Sequence, residues 1–381
     1  MASKRSITDN DITTLRALLS HTEAQVLSPS DASYTSTVER WSRAAEKPAG
    51  VSIVPTCGTE VSIAIRYATE RNIDVAVKGG GHSTAGASST HGGMLIDLGS
   101  GMNQVTVDVE KRLLHVDGGA LWGTVDEAAW KHGLATVGGT VADTGVGGLT
   151  LGAGYGVLTG EHGLVIDNLI SATVVLANGD IVRASDTENA DMFWALRGAG
   201  QNFGVTTEFV LGAFPQKEMF TGMLLFAPTE ENVTKLTKAV NMLYKIQHTP
   251  QGPTSNCAGR AMTLFAFAKP PPAGGQIVIL VLLAFNGPEA EGREMYKEFI
   301  EVGPIMDTLR MAPYCDVNKQ APAERGMRSS MKGAAFIMPM RDEFVLEMLK
   351  SYEDFTSSND DTAASVLAWE LYDPSLSLIH I

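Results

Sequence analysis

Positive charge is what this sequence has least of. Lysine and arginine number 29 against 43 aspartates and glutamates, for a net charge of -14 over 381 residues. No basic run offsets that balance, so nucleic acid and anionic membrane surfaces are excluded as expected partners. Cysteine is scarce too. Cys57, Cys257 and Cys315 are odd in number and far apart, which excludes a disulfide framework. Long apolar runs are missing: the longest, Ile277 to Phe285, is the length of a strand. Met1 to Asn10 is polar and has no apolar leader, so a cytoplasmic location is expected. No metal-ligand set is read in the sequence. The single sequon, Asn232-Val233-Thr234, lies early in an expected helix and reads as a chance match.

Glycine is what the chain has in excess: 39 residues, concentrated in the first half. Glycine is used where backbone must turn sharply or approach a neighbour closely. The first half alternates short strands with helices. Strands are expected at 51–54, 73–77, 94–98, 104–108, 113–117, 169–176, 181–184 and 205–211, and helices at 58–71, 121–132 and 190–196. Asn178-Gly179 signals a hairpin. Near Pro215 the character changes. Strands at 219–226, 263–268, 276–285 and 364–372 are interspersed with helices at 229–244, 290–300 and 342–352. Two domains are therefore expected, 1–215 and 216–375, the second an antiparallel sheet backed by helices.

Two glycine clusters carry chemistry. The loop from Gly79 to Gly86 follows a strand directly and begins Gly79-Gly80-Gly81-His82-Ser83. Successive unobstructed N–H groups in such a loop form a nest for an anion such as a pyrophosphate. The second cluster runs from Gly138 to Gly156. That much glycine is costly in chain entropy. Its apolar insertions, Val146, Leu149, Leu151 and Val157, argue against a polar linker and for backbone that wraps a ligand. Gly198 to Gly204 reads G-x-G-x-x-x-G and follows a helix, so a Rossmann reading fails on spacing and on context.

Residues 51 to 211 resemble the FAD-binding domain of the vanillyl-alcohol oxidase and p-cresol methylhydroxylase superfamily. Within it they are similar to the berberine-bridge-enzyme-like and 6-hydroxynicotine-oxidase-like enzymes. The matching segments are Gly79 to Ser83, Gly118-Gly119, Gly145 to Gly152 and Phe193 to Gly204, in the family's order. The resemblance implies an α+β protein, with a p-cresol methylhydroxylase-type FAD-binding domain and an antiparallel-sheet substrate domain.

It also implies FAD, attached once through His82. Lys78 stands where the family often has arginine, and Gly79, Gly80, Gly81, Ser83 and Gly86 belong to the pyrophosphate loop. Gly139, Thr140, Gly145, Gly148 and Gly152 are expected along the ring and phosphates, and Val205 on the adenine side. Some relatives add a cysteine tether two residues after the glycine matching Gly139. Val141 stands there, so one attachment is expected.

The implied reaction is hydride removal from a small organic molecule, an alcohol, amine, sugar or phenol, with oxygen as acceptor. Alternatives are a dehydrogenase with another acceptor, or an inactive flavin-binding or partner-binding protein. Glu370 and Tyr372, two residues apart on one strand face, are the expected catalytic groups. Relatives of this type return to the flavin domain after the substrate domain. The chain is expected to stop short of that return, exposing apolar sheet surface. Leu376 to Ile381 reads as a non-native tail.

Overall fold

The computed structural model describes residues 4–249, 252–270, 273–320, 324–358 and 360–373. The tail read at 376–381 lies outside these residues. The chain forms two compact units. One comprises Met1–Gly156, Leu164–Gln216 and Ala321–Gly333, the other Val157–Gly163, Lys217–Gln320 and Ala334–Ile381. Among the described residues, no helix is long and apolar enough to cross a membrane.

The first unit contains two larger sheets. In one, the strands run Gln25–Leu27, Val51–Val54, Met94–Asp97, Val75–Lys78. The last three pair in parallel, an arrangement that alternation alone does not predict. Parallel pairing requires a crossover, and the helix Gly58–Glu70 provides one between Val51–Val54 and Val75–Lys78. Its Val61, Ala64, Ile65 and Ala68 pack on Val51, Ile53, Met94 and Ile96. Every residue of the central strand Met94–Asp97 is buried, as expected of a parallel strand covered on both faces.

The second sheet is antiparallel, ordered Val105–Asp108, Leu113–Asp117, Val205–Gly212, Leu169–Val175, Ile181–Ser185. Asn178-Gly179 does make the hairpin, with Gly179 at φ +83° and the Asp180 N–H donating to Asn178 Oδ1 at 3.0 Å.

An N-terminal helix, Asp9–Leu18, escapes the sequence reading. Thr8 and Asp11 form its capping box. Asp11 also accepts from Arg5 through both oxygens, at 2.7 and 2.8 Å, and from the Tyr67 hydroxyl at 2.7 Å.

The second unit is built on an antiparallel sheet in the order Met306–Asp307, Met219–Phe226, Val278–Phe285, Ala261–Ala268, Leu367–Leu371. Phe220, Phe226, Phe265, Phe267, Val281, Phe285 and Trp369 fill one face, packed with Val233, Leu236 and Val240 of the helix Glu230–Leu243 and Val345 and Tyr352 of the helix Asp342–Ser358. Thr229 caps the first of these helices, accepting from the Asn232 N–H at 3.2 Å. Asn232 of the sequon donates its own amide to Ala227 O. The single helix expected at 290–300 is two, Glu289–Met295 and Lys297–Ile300. They meet at buried Tyr296, whose hydroxyl lies 2.7 Å from Ala284 O and 3.1 Å from Met262 O.

Candidate flavin site

The strand Val75–Lys78 ends in Gly79, at the carboxyl end of the parallel sheet, where open α/β sheets place their ligands. A cavity of about 560 Å³ opens there. Four segments of the first unit converge on it. Gly79 to Ser83 form one wall, Thr144 to Leu151 another, Gly118 a third, and Gln201 with Gly204 to Thr206 close the end. Its size is that of a small-molecule or cofactor pocket.

Backbone packing explains part of the glycine excess. A Cβ on Gly80 would strike the Gly145 backbone nitrogen, and a Cβ on Gly145 would strike that of Gly80. The two loops therefore touch main chain to main chain, and neither residue has room for a side chain. Gly148 differs: a Cβ there meets nothing within 4 Å, because it faces the cavity. Gly147 to Leu151 belong to a short helix, Val146–Leu151, inside the glycine-rich segment.

Beneath the first loop lies a buried charge cluster. Lys78 Nζ donates to Asp97 Oδ2 at 3.1 Å and to the carbonyls of Ser36 and Thr37. Arg40, 2% exposed, donates to the carbonyls of Thr37, Glu39 and Ser88. Its Nε is buried with no hydrogen bond among the described residues. A Cβ on Gly81 would lie 3.4 Å from Arg40 Cδ and 3.7 Å from Lys78 Cε, so both cations sit under the loop. Burial lowers the affinity of each for its proton, and Asp97 opposes that effect. Glu46, which accepts from the Arg40 N–H at 3.2 Å, also faces this cluster, so Asp97 and Glu46 together offset the two cations, and the loop's suitability for an anion rests on its successive backbone N–H groups.

His82 lies at the edge of the cavity, half-buried. Its ring stacks on Trp41 at 5.6 Å with 15° between the planes. Its Nε2 is 3.2 Å from Asp143 Oδ1 and 3.5 Å from Arg325 Nη2. Arg325 in turn reaches Asp143 Oδ2 at 2.9 Å, Asp143 O at 3.2 Å and Gly80 O at 3.0 Å. Burial pushes the His82 imidazole below its ordinary pKa. Asp143 opposes the shift and Arg325 reinforces it.

Of the residues expected from the sequence, Gly79, Gly80, Gly81, His82, Ser83, Gly145, Gly148 and Val205 come together around this cavity. Lys78, Gly86, Gly139, Thr140 and Gly152 do not line it. Lys78 points into the charge cluster, and a Cβ on Gly139 would meet Trp122 and Leu149. Glu370 and Tyr372 belong to the second unit. Glu370 pairs with Leu264 on the last strand, and Tyr372 follows that strand; both are partly buried.

Asp143 and Arg325 were missed. Asp143 did leave a signal, since it is the only charged residue between His132 and Glu161. Arg325 left none, being 182 positions away from Asp143 in the chain.

An FAD binding domain model matches residues 49–185, the span that supplies most of the cavity. An FAD-linked oxidoreductase of Aspergillus terreus is 33% identical over 359 residues, covering 92% of this chain and 70% of that protein. The chain belongs to the FAD-linked oxidoreductases. Among solved structures, 6-hydroxy-D-nicotine oxidase from Arthrobacter nicotinovorans superposes with a TM-score of 0.70 at 26% identity, over 78% of this chain and 63% of that one. Glucooligosaccharide oxidase from Acremonium strictum, a protein with a 6-S-cysteinyl, 8α-N1-histidyl FAD, has the same fold. Its TM-score is 0.67 at 24% identity, over 81% of this chain and 62% of that one. The mixed helix-and-sheet architecture is thus that of the p-cresol methylhydroxylase-type oxidases.

The cavity of this oxidoreductase fits the cofactor on its own geometry. Open space faces Gly148, glycine backbone forms two walls, and a buried guanidinium lies under the loop suited to a pyrophosphate.

Proposed function

We propose that the chain is an oxidase of a small organic substrate, with FAD attached once, through His82. FAD supplies the two-electron acceptor for a hydride from a substrate C–H bond. The observation that carries the reading is the meeting of the Gly79–Ser83 loop, the cavity-lining glycine backbone of the Thr144–Leu151 segment and the half-buried His82 at one cavity.

The N–H groups of Gly79 to Ser83 hold the pyrophosphate, and Arg40 and Lys78 beneath the loop bind backbone carbonyls there rather than contacting the anion. Leu149 and Leu151 offer the apolar surface a flat ring system requires. Val205 flanks the adenine. A single tether is supported by Val141, which stands where a second, cysteinyl link would form. Cys257 is buried in the core of the other unit.

Substrate contact is assigned to the other face of the second unit's sheet. Trp369 and Leu371 point into the aromatic core, so strand alternation puts Glu370 on the opposite face. Cross-strand register aligns Glu370, Leu264, Leu282 and Met223 in one row, all partly buried. An apolar row ending in a carboxylate suits a small organic molecule bearing one acidic proton. Glu370, with Tyr372 beside it, is assigned the removal of that proton.

The test is a substrate screen across alcohols, amines, sugars and phenols, read by hydrogen peroxide release. Peroxide in step with substrate supports the oxidase. Reduction of an artificial dye without peroxide identifies a dehydrogenase instead. Glu370→Gln is expected to lower kcat by ~100-fold with flavin content unchanged, and an unaffected kcat removes Glu370 from the assignment.

A further inference from the structure

We propose that the second unit carries a ligand site of its own, a cleft on the helix-covered side of its sheet that takes a small organic cation with an apolar body. The site does not depend on the flavin reading.

The cleft has a volume of about 530 Å³, within the range of small-molecule sites, about 300–1,000 Å³. It opens between the helix Glu230–Leu243 and the pair Glu289–Met295 and Lys297–Ile300. Its floor is apolar: Ala239, Leu243, Phe285 and Phe299 line it, each no more than 5% exposed. Met242 and Met295 flank that floor, and thioether side chains adapt to ligands of varied shape. Leu243, Phe285 and Phe299 belong to the same core as Trp369 and Leu371. The cleft therefore lies on the side of the sheet opposite Glu370, and no residue lines both it and the flavin cavity.

The helix break at Tyr296 shapes one wall. Glu294 and Met295 end one helix, Lys297 and Glu298 begin the next, and all four line the cleft. Tyr296 itself is buried, with its hydroxyl against Ala284 O and Met262 O, so this wall is anchored to the sheet.

Charge sets the sign of the ligand. The charged residues lining the cleft are Glu291, Glu294, Glu298, Arg260 and Lys297. Arg260 is already engaged. Its Nη1 meets Glu291 Oε2 at 2.8 Å, its Nε donates to Asn286 O at 3.0 Å, and its guanidinium lies 4.5 Å from the Phe285 ring centroid. Lys297 Nζ lies 3.9 Å from Glu301 Oε1. The side chains of Glu294 and Glu298 make no hydrogen bond or ion pair among the described residues. Nearby Glu289 and Arg293 pair with each other at 2.8 Å and add no net charge. Lys238, one turn before Met242 on the facing helix, does not line the cleft. Arg260 could meet an anion only by giving up Glu291, whereas Glu294 and Glu298 are open to a cation. An apolar floor under a rim with an acid surplus fits a hydrocarbon or aromatic body bearing one cationic nitrogen.

The test uses the purified full chain and benzyltriethylammonium, a quaternary cation without an N–H or an amine lone pair, so that binding is read apart from turnover. Phenylacetate is the anionic control, and tetramethylammonium is the cation without an apolar body. Titration calorimetry should give a Kd of about 1 mM or tighter for the benzyl cation, and binding at least ~tenfold weaker for either control. Glu294→Gln combined with Glu298→Gln should weaken the benzyl cation by about 5–10-fold. Met242→Lys puts a cation beside the floor and should weaken it by about tenfold or more. All three positions are exposed, so these variants keep the fold. Carbon-13 NMR of the chain labelled at its methionine methyls locates the site. The Met242 and Met295 signals, assigned through Met242→Leu and Met295→Leu, should move on titration. Equal affinity for either control overturns the inference, as does unchanged affinity in both the double glutamine variant and Met242→Lys. Movement of other methionine signals with Met242 and Met295 still, or no binding up to ~10 mM, overturns it too.

Discussion

The two units solve the problem of holding a small molecule in opposite ways. In the first, the candidate contacts are made by backbone, and the side chains that matter lie one layer back: Arg40 and Lys78 under the loop, Asp143 and Arg325 behind His82. In the second, the backbone is consumed in sheet pairing, and any recognition falls to side chains on one sheet face. A cofactor shared across a family can be met by main chain, which needs only glycine. A substrate that differs between relatives has to be met by residues free to vary.

The contrast can be broken by substitution, and the largest effect is expected where main chain meets main chain. Gly80→Val forces the Gly80 and Gly145 loops apart. It should cost ~3 kcal/mol or more and abolish flavin binding. Normal flavin content after purification would show that the loop contact is dispensable. Phe265→Ala is the counterpart in the second unit, where Phe265 packs 5.4 Å from Trp369 and 5.7 Å from Phe267. It should cost about 3–5 kcal/mol in denaturant unfolding, and a loss under 1 kcal/mol would refute the core described here.

A smaller effect is expected at Asp11, a polar anchor of the first unit. Asp11→Asn weakens the Arg5 pair and should cost ~2–3 kcal/mol at neutral pH. The pH dependence has a definite sign. The Arg5 guanidinium holds the buried carboxyl far below its ordinary range. Its stabilisation is therefore full above the unfolded carboxyl pKa of about 4 and is lost as pH falls below it. The stability gap between the original and Asp11→Asn should narrow at pH 3, and a constant gap would count against this account. Smallest is Thr229→Ala, the helix cap of the second unit, expected to cost about 1 kcal/mol without altering flavin content.

Much of the first unit was legible because its requirements fall on residue types with few substitutes. Val51–Val54 and Leu113–Asp117 emerge at their expected limits, and the loop at Gly79 follows its strand directly. Even so, the glycines misled in part. Gly80 and Gly145 are small for each other's sake, and Lys78 serves Asp97 rather than the cavity wall. Parallel pairing was hidden because it joins segments far apart in sequence. Arg325 was hidden for the same reason, since proximity to Asp143 arises only on folding. In the second unit, the long strands were readable from apolar spacing, but the break at Tyr296 that splits the helix expected at 290–300 was not. The substrate was not, because one row of Met223, Leu282, Leu264 and Glu370 specifies a surface, not a molecule.

The central claim is that this cavity holds FAD and that His82 binds it covalently. Acid precipitation of the purified chain and of His82→Ala, each followed by absorbance near 450 nm in pellet and supernatant, tests it most directly (a wavelength of about 450 nm reports the oxidised flavin ring that the cofactor brings). The account predicts flavin in the pellet for the unaltered chain and only in the supernatant, or none, for His82→Ala. Flavin released wholly into the supernatant from the unaltered chain, or retained in the His82→Ala pellet, would contradict it.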